Sequence, residues 1–311
     1  MTPVNAENTT PTATAAKEPI PALNKGNLIQ YWSTKWRKMQ IWHYISLTTL
    51  LALSFGPLLL LFIDSGKTTE QFESHPWSLT TPYHWSNYWL MLVGMRRYMV
   101  NSSFVSLVAI PLALLLASYT SYIFARFKFY GKEFLFNVVI FLMMIPFVLY
   151  LVPQYILIQQ LGLLNSLWAL IFPYAAGGAV FGVFLIRPFM ASLSEELFEA
   201  ARLDGATDWQ VFYSIALPLC RPILATLMIL LLLGQWNDLI WPSVTLTNQD
   251  MYTVTLGVFS LGKTVYGGMA GRPPWGMMFA AFVISSLPLL LVFIIARKAF
   301  LKGLSSGALK F

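Results

Sequence analysis

The chain is poor in charge and poor in the residues that most often do chemistry. Of its 311 residues only 11% are Asp, Glu, Lys or Arg, less than half the share usual in a soluble domain. With 57% hydrophobic residues and a mean hydropathy of +0.63, that scarcity excludes an ordinary soluble protein. A single cysteine, Cys220, excludes an intrachain disulfide and reads as a small packed residue rather than a reactive thiol. The three histidines, His43, His75 and His84, have neither metal-ligand spacing nor a place in a triad, which speaks against a membrane-embedded enzyme and against a metal site. Internal repeats and multiple buried ionisable groups, the marks of an ion-coupled secondary transporter, are also missing.

Long apolar runs are abundant. Six are long enough to cross a ~30 Å hydrocarbon core as helices of about 20 residues: Trp42–Ile63, Phe104–Ala125, Phe134–Leu157, Leu167–Pro188, Ile223–Leu246 and Met277–Ala296. Lipid offers no partner to a bare peptide group, so each run is expected to be helical. The expected fold class is all-α, a polytopic membrane protein with six transmembrane helices. Of the 20 Lys and Arg, 15 fall on the side of the two termini and the second and fourth loops, and five on the other. Positive residues are retained inside, so both termini and the fourth loop are expected to be cytoplasmic. This asymmetry accounts for the net charge of +7 without a nucleic acid.

The first run exceeds a signal-peptide core and follows a 40-residue lead, so it is expected to be a span and not a cleaved signal. Residues 1–38 form an expected N-terminal tail. Its first 27 residues, rich in Thr, Ala, Pro and Asn, have the composition of a disordered segment. Leu28 to Trp42 mixes Trp and Tyr with Lys and Arg, as an interfacial helix does. The transmembrane domain takes residues 39–302 and a C-terminal tail 303–311. Outside, Asp64 to Val100 carries an aromatic belt, and Gln159 to Asn165 is a tight turn. Gly178 and Gly182, with Gly177 alongside, put small residues four apart for close helix packing. Gly257 to Thr264 matches a phosphate-loop pattern. It lacks the preceding strand and lies between two spans on the outer face, so it is expected to be an external loop rather than a nucleotide site.

The informative interruption is Glu199 to Pro222, EAARLDGATDWQVFYSIALPLCRP. Ser194 stands where a helix N-cap belongs, with Glu195 and Glu196 in the first turn. Leu197, Ala200 and Ala201 are expected to form one low-relief face able to enter a groove. Gly205 breaks that helix, and Asp208 to Ile215 starts another with Trp209, Phe212 and Ile215 on one side.

This loop resembles the EAA motif of bacterial ABC-importer permeases at Glu199, Ala200, Ala201, Asp204, Gly205, Ala206, Leu217, Pro218 and Pro222. NYW and VNSSFVSL, LGLLNSLWALI, FLIRPFM, QWNDLIWP and the tail GLSSGALKF extend the likeness to the carbohydrate branch, the maltose-type, MalG-like permeases, over roughly residues 42–311. The resemblance implies a MetI-like permease fold, bacterial inner-membrane location and a coupling loop at 194–222 that an ATPase pushes on. It also implies a tail, with Gly303, Gly307 and Lys310, that reaches into the ATPase dimer. The implied partners are a second permease, two ATPase subunits, an external sugar-binding protein and membrane lipid. No cofactor is implied in this chain, ATP and Mg²⁺ belonging to the ATPase.

Asp238 is the only acid inside a run, ~24 Å beyond Pro222 at 1.5 Å per residue, and an intramembrane carboxylate is a functional candidate. Gln235 and Trp241, three residues to either side, share its face if the helix is unbroken. Carboxylate, amide and indole together suit a sugar in a translocation path; an interhelical hydrogen bond is the alternative role. Arg96, Arg97, Lys263 and Arg272 on the outer side fit an acidic oligosaccharide or, better, docking of a binding protein by complementary charge.

Overall fold

The computed structural model describes residues 25–268 and 273–308, and the side chains of 40–261 and 273–297. Among them every regular element is helical. Residues 1–58 and 59–311 form two separate contact units. In the first, α1 (Lys25–Ser65) begins; its bilayer-length part, Gln40–Ser65, has no buried side chains in its most apolar window. A helix apolar all round, as here with Trp42, Leu53 and Phe55 exposed, suits lipid or a partner rather than water.

The second unit follows α1's last turn with α2 (Thr69–Ser74) and α3 (Ser86–Arg126). At 41 residues α3 is roughly 60 Å long by the helical rise, so it starts well before the expected Phe104 and takes in much of the segment read as external. α4 (Lys132–Met144) and α5 (Phe147–Gln160) meet at 98°. Pro146 lacks an N–H and steers Ile145 out of the helical region, to ψ 116°; the third run is therefore a bent pair and not one helix. α6 (Trp168–Ala191) and α13 (Trp275–Ala308) cover the fourth and sixth runs. Among the described residues four helices are long and apolar enough to span, or six if each bent pair counts as one span.

The second bent pair holds the polar interruption. α7 (Glu195–Leu203) is followed by α8 (Asp208–Val211), a π turn at Phe212–Ala216 and α9 (Leu217–Leu219), which meet α10 (Arg221–Asn237) at 73°. α10 stops at Asp238, whose ψ of 125° is extended, and α11 (Ile240–Thr245) resumes. The expected continuous helix Ile223–Leu246 is thus overturned. Pro242 has no N–H for the Asp238 carbonyl four residues back, and the Asp238 side chain takes over the capping. α12 (Val254–Gly268) contains the whole phosphate-loop match. The expected loop is a helix, whose N–H groups beyond its first turn are committed to its own carbonyls.

α3 and α6 form the centre. An added Cβ on Gly178 would lie 3.0 Å from the Ala113 Cβ, and one on Gly182 would lie 2.5 Å from the Ala117 Cβ and 2.7 Å from Leu227. The expected small-residue packing is present at these two positions. Gly177 has no heavy atom within 4 Å of that point and instead lines a cavity.

Candidate functional site

The helical pair at 195–219 is held by Arg126, the last residue of α3. Its side chain is 4% exposed and ion-pairs with Glu195 at 2.5 Å. It also donates to the carbonyls of Met190 (2.8 Å) and Leu193 (2.9 Å), and it lies 3.8 Å from the centre of the Phe198 ring. Phe198, Ala201, Val211, Phe212 and Ala216 are buried in one cluster with Tyr122 and Ile186. Arg187 ties the neighbouring α4 through its Nη2, which donates to both carboxylate oxygens of Glu133 (2.7 and 2.9 Å), and its guanidinium lies 3.6 Å from the centre of the Phe136 ring.

α7 ends in paired 6→1 and 5→2 bonds, Ala206 N–H to Ala201 O (3.0 Å) and Gly205 N–H to Arg202 O (3.1 Å), with Gly205 at φ +83°. This is the glycine-closed C-terminus of the Schellman type. Ser194 holds the N-cap position but makes no side-chain bond, whereas Thr207 and Gln210 form a reciprocal capping box that opens α8. Glu199, Ala200, Asp204 and Gly205 are exposed and Ala206 is half-buried. Ala201 departs from expectation: three residues from Phe198, it turns inward with it. The outward face is instead Leu197, Ala200 and Leu203, continued by Trp209 and Tyr213, with Leu203 89% exposed.

A cavity of about 380 Å³ lies among α5, α6, α10 and α11, inside the range of ligand sites. Gln235, Asp238 and Trp241 all line it, brought together by the break at Asp238 and not by one helical face. Asp238 Oδ1 accepts from Ile240 N–H (3.0 Å) and Trp241 N–H (3.3 Å), and Oδ2 accepts from the Tyr174 hydroxyl at 2.8 Å. Trp241 is buried, its indole N–H donating to Ala169 O at 3.0 Å; it forms wall rather than an open stacking platform. Gln235 is 8% exposed, and neither amide atom has a hydrogen-bond partner among the described residues. Tyr150, Gln154 and Tyr174 line the same space and went unnoticed in the sequence, because polar residues of α5 and α6 carry no signal until the helices are placed.

Asp64 corrects the view of Asp238 as the only acid in a span: it lies in the last turn of α1, buried and 2.7 Å from the equally buried Lys67. Arg97 is engaged by Asp250, through its carboxylate at 3.0 Å and its carbonyl at 3.1 Å. Gly303 and Gly307 lie in α13, which runs on to Ala308; Lys310, Arg272 and the side chain of Lys263 lie outside the described residues.

Residues 109–306 match the family model described as the binding-protein-dependent transport system inner membrane component. The chain belongs to that family. The permease is 32% identical over 259 residues to the diacetylchitobiose uptake system permease protein NgcG of Streptomyces coelicolor, covering 82% of this chain and 83% of that one. It is 36% identical over 210 residues to the arabinooligosaccharides transport system permease protein AraQ of Halalkalibacterium halodurans, covering 68% and 72%. Its fold matches a chain of a bacterial ABC transporter involved in import of the acidic polysaccharide alginate, with a TM-score of 0.72 at 20% identity, over 90% of this chain and 100% of that one.

Proposed function

We propose that this permease forms half of the translocation path of an ATP-driven importer for a sugar or oligosaccharide. The observation that carries the reading is the exposed apolar face of the helical pair, Leu197, Ala200, Leu203, Trp209 and Tyr213, held rigidly to α3 by Arg126. A face of that kind on a water-exposed loop marks a protein contact. On this reading its partner is an ATPase, bound on the cytoplasmic side with both termini.

Two ATPase subunits, a second permease and an external sugar-binding protein complete the assembly, with ATP and Mg²⁺ held by the ATPases. The names of the relatives, which take up diacetylchitobiose and arabinooligosaccharides, support a sugar as cargo. ATP-driven closure of the ATPases draws the helical pairs together and opens the path outward. After hydrolysis the pairs separate and the cargo passes inward by Gln235, Asp238 and Trp241. Glu199, Asp204 and Gly205 stand at the coupling contact, and Gly303, Gly307 and Lys310 extend it through the tail.

Purification of the tagged chain from its native membrane tests this. An ATPase subunit is expected in stoichiometric amount, and proteoliposomes of the complex are expected to take up sugar only with ATP and the binding protein. A chain that purifies alone and transports without ATP overturns the reading.

A further inference from the structure

The cavity beside Asp238 has an uneven inventory of polar groups. Its lining contains no Lys, Arg or His, and its one carboxylic acid is Asp238. That carboxylate already accepts three donors, from Tyr174, Ile240 and Trp241, and it is in no ion pair among the described residues. Gln235, in contrast, holds a whole amide in the cavity wall, unpartnered and with almost no accessible surface at either polar atom. A buried amide without partners costs free energy unless a ligand or water meets it, and it offers two N–H donors and a carbonyl acceptor together. Such a pair of functions matches a hydroxyl, which both donates and accepts. Phe147 and Phe181 add apolar wall for the C–H faces of a ring.

A fixed negative charge with no cation beside it repels a second one, the more so where water is thinned out. Of the two described outer cations that the charge pattern had offered for an acidic cargo, Arg97 is bound to Asp250, and neither it nor Arg96 lines the cavity.

Building on the importer reading, we propose that this cavity takes an uncharged polyhydroxylated sugar and rejects carboxylated ones, with Gln235 as the contact and Asp238 as the charge filter. The permease would thus differ in cargo charge from the alginate importer whose fold it shares.

Equilibrium dialysis on the purified permease–ATPase complex, without its external binding protein, tests this chain's contribution. The probes are the alditols of lactose, arabinobiose and N,N′-diacetylchitobiose, each beside the matching aldonic acid, which shares the open-chain end and carries a carboxylate in place of the terminal hydroxymethyl. At least one neutral probe is expected to bind about tenfold tighter than its acid, the scale of one like-charge contact. Asp238→Asn, which removes the charge, and Gln235→Lys, which gives it a counter-ion, should each narrow that gap to within about threefold, while Gln235→Leu weakens both members of the pair. Equal binding of sugar and acid by the parent complex, or an unchanged gap in fully assembled Asp238→Asn and Gln235→Lys complexes, overturns the charge filter but leaves the importer reading intact. Failure of every probe to bind overturns the filter, and ATP hydrolysis that stays indifferent to every probe once the external binding protein is added back removes the sugar reading with it.

Discussion

The guanidinium of Arg126 lies 3.8 Å from the centre of the Phe198 ring while one of its nitrogens pairs with Glu195. The end of α3 is thereby fixed to the first turn and the inner side of α7, and the small-residue contact joins α3 in turn to α6.

Replacing Arg126 by Ala strands the Met190 and Leu193 carbonyls, a loss of about 1–3 kcal/mol. The helical pair should then open more often, by roughly 5- to 150-fold, and be cleaved faster by a protease to the same degree. The chain should remain in the membrane. Arg126→Lys, which keeps a charge but not the planar fork, should fall between. Cleavage at the parental rate in Arg126→Ala would show that the contact does not hold the pair.

Gly182→Ala puts a methyl carbon 2.5 Å from the Ala117 Cβ, and overpacking of this kind costs about 1–3 kcal/mol. A lower midpoint in thermal unfolding of the purified chain checks it. Ala117→Gly in the same chain should restore part of the loss, because the two methyl groups compete for one space. Gly177→Ala, on the same helix but with open space at its Cβ, should not lower the midpoint and should raise it slightly, alanine being favoured over glycine in a helix interior by about 0.5–1 kcal/mol.

Gly205→Val places a β-branched residue at φ +83°, where an L-residue costs about 1–2 kcal/mol or more. The closing turn of α7 should fail, and ATP-dependent uptake should collapse with membrane insertion intact. Gly205→Asn, which tolerates the left-handed region, should retain more uptake. Equal uptake in all three chains would separate the turn from coupling.

Where the sequence reading succeeded, the signal was local. Gly205 announced a helix end because only glycine takes that backbone cheaply, and Gly178 with Gly182 announced a close contact because nothing else is so small. Where it failed, a proline or an inward neighbour close by was passed over, or the deciding partner lay far along the chain. Ala201 looks like Ala200 until Phe198 is seen to turn inward beneath Arg126. The break at Asp238 needed Pro242 read against the carbonyl four residues before it, and the bend at Ile145 needed the same attention to Pro146. Tyr174 gave no hint at all, since its carboxylate partner is 64 positions away.

Cys220 has no solvent-accessible surface. A maleimide or spin-label reagent that stays in water therefore has nothing to attack in the folded chain, and the natural sequence already serves as a blank background. A cysteine placed at Leu203, or at Tyr130 on the loop before α4, would be the sole thiol within reach of such a reagent. Distances between labels on two copies or two subunits are then measurable with no prior removal of native residues.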